Sequence, residues 1–529
     1  VPSAVVLGSD RLALRVAEQL RRDGYEVRLL ALAGSALARS AAGLGVPAEV
    51  RSREEATQSG AGADVLLAIT EEDELNLGAA LVAREARPEL RVVLRQFNLR
   101  LGALLGRAFT DGDVLSLSAL CAPSFAVAAL APGVVFAHDC GGALFVLREA
   151  DAPAPGVVVA SAREDGAVEW SPAPGTLRSG ARCLVASDAA GLPRHAPRAA
   201  SGPAPPRGGA TRPSLLRATL LALLALLAAG ALVFGARLGL RALDAVYFLV
   251  TILTTVGFGD YNLKDADDLT KALGIGVMLA GFLLGALLVA QLTEALVARQ
   301  DARRRGLVRR RRAGHVVVCG LGSVGYRTAA TLKRLGQRVV AVEADENGRF
   351  VPRARADGLE LVIGDAADER TLAFAGLATA RALVVATSRD HLNLEVGLLA
   401  RSLAPELPVV LRLFDAELAR RVAATFGLTQ SMSAGALAAG RFTALGANAD
   451  RLACLRFAGA PYEVRQARPR AGEAVGAAAG PGGRVAAVVR ADGTLELDPA
   501  PARPAAAGET LLVVAPQSVA GGDAPDPAR

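Results

Sequence analysis

Two short stretches of this chain place residue types at spacings suited to chemistry. The first is Thr254-Thr255-Val256-Gly257-Phe258-Gly259-Asp260. Glycine at alternate positions lets the backbone take dihedrals that a Cβ forbids. Successive carbonyl oxygens can then point to one side, and stacked rings of such oxygens can replace the hydration shell of a monovalent cation. Thr255 would add a hydroxyl at the inner end, while Val256 and Phe258 would face away and wedge the backbone open. The second stretch is Gly320-Leu321-Gly322-Ser323-Val324-Gly325, followed by Glu343 at the end of the next apolar run. Glycines at this spacing let a backbone approach a pyrophosphate at a helix N-terminus. Glu343 is placed to accept from a ribose 2′-hydroxyl, and its charge would repel a 2′-phosphate.

Each stretch needs a frame. The run from Thr219 to Ala236 carries no charge and, with Leu215 and Leu216, reaches about 20 residues, enough for a hydrocarbon core of about 30 Å. A second span is expected from Ala272 to Ala290. Between them Asp244 to Thr254 is apolar over the length of a short helix, whose negative C-terminal end would aim at a cation in the loop. The pattern is span, half-helix, glycine loop, span. Arg299, Arg303, Arg304, Arg305, Arg309, Arg310, Arg311 and Arg312 follow the second span, and Arg207, Arg212 and Arg217 flank the first. Positive-inside logic puts both termini in the cytosol and the loop outside. Because the arginine run abuts a span, membrane topology accounts for it and no nucleic-acid partner is expected.

Around the second glycine stretch the frame is strand, turn, helix and strand. His315 to Gly320 reads as a strand, Tyr326 to Leu335 as a helix, and Arg338 to Val342 as a second strand ending at Glu343. That is the Rossmann dinucleotide pattern. The N-terminal 190 residues repeat it. Ala4 to Gly8 matches Val316 to Gly320, Leu67 to Thr70 matches Val384 to Thr387, and Asn76-Leu77 matches Asn393-Leu394. Arg95-Gln96-Phe97-Asn98 matches Arg412-Leu413-Phe414-Asp415, and the offset across the last three pairs is fixed, as in an internal duplication. The first copy reads Gly8-Ser9-Asp10-Arg11-Leu12-Ala13, so a carboxylate replaces the second glycine and would repel pyrophosphate. No acid follows its second strand at Leu29 to Leu32, and this copy is expected to be structural.

These motifs carry a resemblance. The loop resembles the potassium-channel selectivity filter, usually TVGYGD, with Phe258 in place of the tyrosine. In that family a glycine of the second span can act as gating hinge, which makes Gly281 and Gly285 candidates. Gly364-Asp365-Ala366, Ala386-Thr387-Ser388-Arg389-Asp390 and Asn393-Leu394 resemble the signatures of RCK (TrkA-N/TrkA-C type) domains over roughly His315 to Met432. The resemblance implies that Asp365, Ala366 and Thr387 border the nucleotide cleft. It also implies a two-transmembrane potassium channel with K⁺ held at Thr255, Val256, Gly257 and Phe258, and NAD(H) or ATP/ADP as regulatory ligand. The familiar order places both RCK modules after the pore; here the pore lies between them.

Composition is consistent with a modest membrane part joined to large α/β parts. Hydrophobic residues make up 52% of 529, the mean hydropathy is +0.34 and the net charge is +7. Cys121, Cys140, Cys183, Cys319 and Cys454 form no metal-ligand spacing, as in a reducing compartment. The chain opens on Val1 straight into a strand-like run, so no signal peptide is expected. The expected multidomain organisation is an N-terminal Rossmann-like domain (1–145) and small α+β subdomain (146–190), a Pro/Gly-rich linker (191–213), an α-helical two-span pore domain (214–298), an Arg-rich linker (299–313), a nucleotide-binding Rossmann domain (314–440) and a second small subdomain (450–518). A pore ringed by carbonyls needs four chains, so a homotetramer in the plasma membrane is expected. A Trk-type uptake component and a non-conducting nucleotide sensor are the other readings. A dehydrogenase would need an acid or base near the nicotinamide, and His138, His195, His315 and His391 stand in no catalytic motif, so no enzyme is expected.

Overall fold

The computed structural model describes residues 1–35, 37, 48–58, 60, 62–97, 114–173, 177–192, 195, 213–307, 312–413, 421, 425, 430–447 and 450–517. Arg207, Arg212, Arg309, Arg310, Arg311, Asn98, Phe414, Asp415 and most of the 191–213 linker lie outside them. The chain folds as two compact units, one of residues 1–204 with 311–529 and one of residues 205–310.

The first unit begins with a Rossmann-like module. Strands β1 (Ser3–Gly8), β2 (Glu26–Leu32), β3 (Ala48–Arg51), β4 (Val65–Ala68), β5 (Arg91–Arg95) and β6 (Val114–Leu115) form a parallel sheet in the order β3-β2-β1-β4-β5-β6. Helices α1 (Arg11–Arg22), α2 (Arg53–Gln58) and α3 (Asp73–Ala86) cover it. Buried on both faces, β1 and β4 are continuous apolar runs rather than alternating ones. Helix α4 (Leu117–Ala128) then leads to an antiparallel sheet of β7 (Val134–Asp139), β8 (Leu144–Asp151), β9 (Val157–Ala162), β10 (Val168–Trp170) and β11 (Arg182–Asp188). This sheet starts ahead of the expected boundary at 146. The Gly141-Gly142 turn closes a β7–β8 hairpin that belongs to it.

The second unit holds α5 (Pro213–Leu238), α6 (Ala242–Leu253) and α7 (Asp268–Arg304). Both α5 and α7 are long and apolar enough to cross a membrane. The α7 helix outruns the expected span at both ends. Asp267 caps it, its carboxylate accepting from Thr270 N–H, and charged residues from Asp301 onward continue the helix. At 1.5 Å per residue its 37 residues extend about 55 Å, well beyond a hydrocarbon core. Phe234 and Phe248 meet edge to face at 5.7 Å in a small core with Leu249. Gly230 and Gly281 allow close packing: a Cβ at Gly230 would lie 2.5 Å from Leu249 Cδ1, and one at Gly281 would lie 2.1 Å from Leu253 Cδ2. Near the other end Gln291 Nε2 donates to Thr219 Oγ1 at 3.0 Å, joining α5 to α7.

The first unit resumes with a second parallel sheet of β12 (Val316–Cys319), β13 (Val339–Glu343), β14 (Glu360–Ile363), β15 (Ala382–Val385), β16 (Val409–Arg412) and β17 (Gln430–Met432). Its order is β14-β13-β12-β15-β16-β17, the same as the first. Helices α8 (Ser323–Arg334), α9 (Val351–Ala356), α10 (Glu369–Phe374), α11 (Asp390–Leu403) and α12 (Ala434–Gly446) accompany it. Helix α8 starts three residues before the expected Tyr326, because Gly322 already serves as its N-cap. A second antiparallel sheet follows: β18 (Arg451–Phe457), β19 (Ala460–Ala467), β20 (Arg484–Val489), β21 (Leu495–Leu497) and β22 (Thr510–Pro516).

The two modules exchange helices. Cys121, Phe125 and Ala126 of α4 share a core with Val324, Tyr326, Ala329 and Leu332 of α8, in the other module. Reciprocally, Ala438, Phe442 and Leu445 of α12 bury against Leu12, Ala13, Val16 and Leu20 of α1. Polar ties flank this exchange: Arg451 bridges Asp23 (2.9 Å) and Glu463 (2.8 Å), and Arg334 bridges Asp139 (2.5 Å). Phe97 meets Phe350 at a tilt (ring centroids 5.0 Å apart) and lies under the Arg349 guanidinium (4.2 Å).

Candidate functional site

The glycine loop sits at the C-terminal end of α6. Thr255, Gly257 and Gly259 have φ of +62°, +55° and +82°, while Val256 and Phe258 stay outside the left-handed region. The backbone therefore alternates in hand through five residues, and alternation turns successive carbonyls toward one side. Thr255 takes this conformation despite its Cβ, a strained state that its surroundings must impose. They do so through the N–H groups. Thr255 N–H donates to Ile252 O (3.0 Å), and Val256 and Gly257 N–H donate to Thr251 O (3.0 and 3.1 Å). Tying the N–H side to the helix leaves the C=O side facing the other way. Val256 and Phe258 are 54% and 71% exposed, pointing out of this unit.

Phe258 cannot donate a phenolic hydrogen bond. The Tyr247 ring of α6 meets the ring of Tyr261, the residue after Asp260, at 6.2 Å. Sequence reasoning missed this contact, whose signal was a tyrosine two turns before the loop. The hinge candidates separate as well. Gly281 is filled by Leu253, whereas a Cβ at Gly285 would meet nothing within 4 Å.

The three glycines after β12 do three different things. Gly320 has φ +88°, and a Cβ there would lie 2.9 Å from Thr387 Cγ2 and 3.0 Å from Thr387 N. A Cβ on Gly325 would lie 1.8 Å from Gly320 O, so only glycine lets α8 start against the turn. Gly322 faces open space and caps α8 without a side-chain hydrogen bond. An uncapped helix N-terminus that backbone can approach freely suits a phosphate. Ser323 is the first residue of α8, and Val324 is buried behind it.

Glu343 closes the other side. Its Oε2 accepts from Leu321 N–H at 2.6 Å, within the glycine turn, and its Oε1 accepts from Ala344 (2.9 Å) and Asp345 (3.2 Å) N–H. The carboxylate is thus held at the mouth of the turn, with lone pairs left for a ribose hydroxyl. Asp365 lies two residues past β14, its Oδ1 accepting from Ala367 N–H (2.9 Å), beside a buried Ala366. Thr387 packs against Gly320, and its polar groups are taken up by Asn393. Its Oγ1 donates to Asn393 Oδ1 (2.6 Å), which also accepts from Thr387 N–H (3.0 Å). Asn393 Nδ2 donates to Thr387 O (3.1 Å) and Arg412 O (2.8 Å), joining the ends of β15 and β16. Glu343 ends its strand and Gly320, Asp365 and Thr387 lie just past the carboxyl ends of theirs, about the point where the sheet order reverses.

In the first module the same place is filled. Asp10 is the N-cap of α1: its Oδ1 accepts from Leu12 N–H (3.0 Å), and Arg95 Nη1 donates to its Oδ2 at 2.6 Å. The five cysteines are free thiols. Burial pushes Cys121 up to about 12 and raises Cys319 further, so neither is a ready nucleophile. Among the described residues no three His, Cys, Asp or Glu side chains gather into a metal site.

Parallel Rossmann-like sheets and an apolar unit with two helices long enough to cross a membrane give the chain a two-part design. Comparison with known proteins gives the class of each part. Residues 220–298 match the ion channel family model, and residues 316–433 match the TrkA-N domain model. The chain thus carries an ion-channel domain joined to a TrkA-N domain. It is similar to the voltage-gated potassium channel Kch of Escherichia coli, with 23% identity over 33% of this chain and 42% of that protein. It is similar also to potassium channel protein 1 of Methanocaldococcus jannaschii, with 26% identity over 31% of this chain and 51% of the relative. Across the curated relatives it first matches, the chain spans about half their length or less. The solved GsuK channel aligns with 98% of this chain and 77% of its own, at 14% identity and a TM-score of 0.47.

Proposed function

We propose that this chain is one subunit of a homotetrameric potassium channel, gated by a nucleotide bound in the second Rossmann module. The observation that carries the reading is the alternation of backbone hand from Thr255 to Gly259, directly after a short apolar helix and between two spanning helices. One chain supplies one such loop. Four around an axis would make the oxygen rings that a dehydrated K⁺ requires, from the carbonyls of Thr255, Val256, Gly257 and Phe258. The C-terminal end of α6 adds its negative dipole. Similarity to proteins named as potassium channels supports K⁺ as the ion. Both termini lie in the cytosol, the loop opens outward, and the plasma membrane is the site of action.

The ligand is NAD(H) or an adenine nucleotide. Gly320, Gly322, Ser323, Val324 and Gly325 receive its diphosphate and Glu343 its ribose, with Asp365, Ala366 and Thr387 along the edge. Binding that prefers one conformation shifts the closed–open equilibrium, and α7 bends at Gly285 to do so. The first module is a degenerate RCK partner, 191–213 and 299–313 are connectors, and the protein performs no covalent chemistry.

Reconstituted into liposomes, the protein should give currents whose reversal potential moves about 59 mV per tenfold K⁺ gradient. A reversal potential indifferent to K⁺ overturns the pore reading. Gly322→Asp places a carboxylate where Asp10 stands in the first module, and it should weaken nucleotide binding more than about 100-fold by calorimetry.

A further inference from the structure

One polar pair crosses between the two spanning helices, near the start of α5. Gln291 Nε2 of α7 donates to Thr219 Oγ1 of α5 at 3.0 Å, and Thr219 Oγ1 donates in turn to Leu215 O at 3.0 Å. Thr219 is only 6% exposed. Between helices in hydrocarbon such a bond has no water to compete with it. Yet the amide is only half satisfied. Gln291 Oε1 is buried and, among the described residues, accepts from no donor. A bond made and a buried carbonyl left unpaired largely offset each other, so the contact suits a release better than a permanent brace.

The position of this pair along α7 gives it leverage. Gly285 lies six residues before Gln291, and a Cβ there would meet nothing within 4 Å, so the helix has room to bend. Ahead of Gly285 the helix is held: Leu253 fills the face of Gly281, and Val277 packs on Phe234, Phe248 and Leu249. At 1.5 Å per residue Gln291 stands about 9 Å beyond Gly285. A kink of about 20° would carry it about 3 Å, enough to part a bond of 3.0 Å. We propose that Gln291 and Thr219 form a latch that holds α7 unbent against α5, and that bending at Gly285 must break it. The inference rests on the reading of this unit as a gated pore. Release costs one bond and frees the stranded carbonyl to find a donor, so a modest force transmitted along residues 299–313 suffices.

The test records single channels of the full chain in liposomes and reads the ratio of open to closed time. Thr219→Val and Gln291→Leu should each change that ratio roughly 3- to 15-fold and in the same direction, the range for one hydrogen bond between membrane helices. The double variant should change it no more than the larger single one. Thr219→Ser keeps the hydroxyl and should hold the ratio within about twofold of the wild type. Gly285→Ala stiffens the helix and should shift the ratio the opposite way. Unitary conductance and reversal potential should stay fixed throughout. An unchanged ratio, opposite effects of the two single variants, or additive effects in the double would overturn the latch. So would a shift by Gly285→Ala in the same direction as Thr219→Val. A wild type without K⁺ current removes the channel reading itself, a result distinct from a conducting channel whose gating ignores Thr219 and Gln291.

Discussion

In both Rossmann modules an asparagine ties together the ends of two neighbouring strands. Thr70, Asn76 and Arg95 do it in the first with bonds of 2.9, 2.7, 3.1 and 2.9 Å. Thr387, Asn393 and Arg412 do it in the second with 3.0, 2.6, 3.1 and 2.8 Å. A few residues away the copies part. Asp10 stands against Gly322, Ala13 against Gly325, and β2 ends at Leu32 where β13 ends at Glu343. The bonds that set the sheet are common to both, and the groups that would meet a ligand are not. A module can lose its ligand and keep its fold because the two tasks fall to different residues.

Substitutions can break that comparison. The largest expected effect is Gly325→Ala, whose Cβ would meet Gly320 O at 1.8 Å. It should cost about 4 kcal/mol or more in denaturant unfolding. The reverse change at the matching site, Ala13→Gly, should cost only about 1 kcal/mol as a helix propensity effect. Acid should act next, and on β7 more than on its counterpart β18. Burial, with the Arg441 charge, pushes His138 down to about 4, so it stays neutral in the fold while the unfolded chain takes up a proton near 6.5. Stability is therefore complete above pH 6.5 and is lost as the pH falls from 6.5 toward 4, by about 3 kcal/mol. The second module carries Leu455 at the same offset, and hydrogen exchange at pH 5 against pH 7 should loosen β7 before β18. Asn76→Ala and Asn393→Ala should each cost roughly 2 kcal/mol, by leaving buried backbone groups unbonded. Unequal costs from the same measurement would show that the clamps are not equivalent.

How much of this was legible depended on distance along the chain. The glycine turn, Glu343 and the apolar spans are local patterns, and the duplication shows as a fixed offset. The Asp10–Arg95 pair joins residues 85 positions apart, and nothing local announces it. Tyr247 reads as one more apolar residue of α6 until the loop folds back to bring Tyr261 against its ring. The helix exchange was hidden for another reason. Helix α4 is buried along nearly its whole length between two modules, so it has no polar face and no periodicity to betray its direction. The hairpin at Gly141-Gly142 went unread because β7 alternates poorly, leaving the boundary at 146 too late.

Helix α4 is complete at Ala128, yet α8, which covers Phe125, begins at Ser323 on the far side of both spans. At roughly 5–20 residues per second the ribosome needs about 10 to 40 s to make the intervening chain. For that interval the newborn amino-terminal half carries a bare greasy helix while the membrane segment is being inserted. Placing the pore in the middle of the gene thus sets a waiting period, and a chaperone able to shield one apolar helix would decide how many chains survive it.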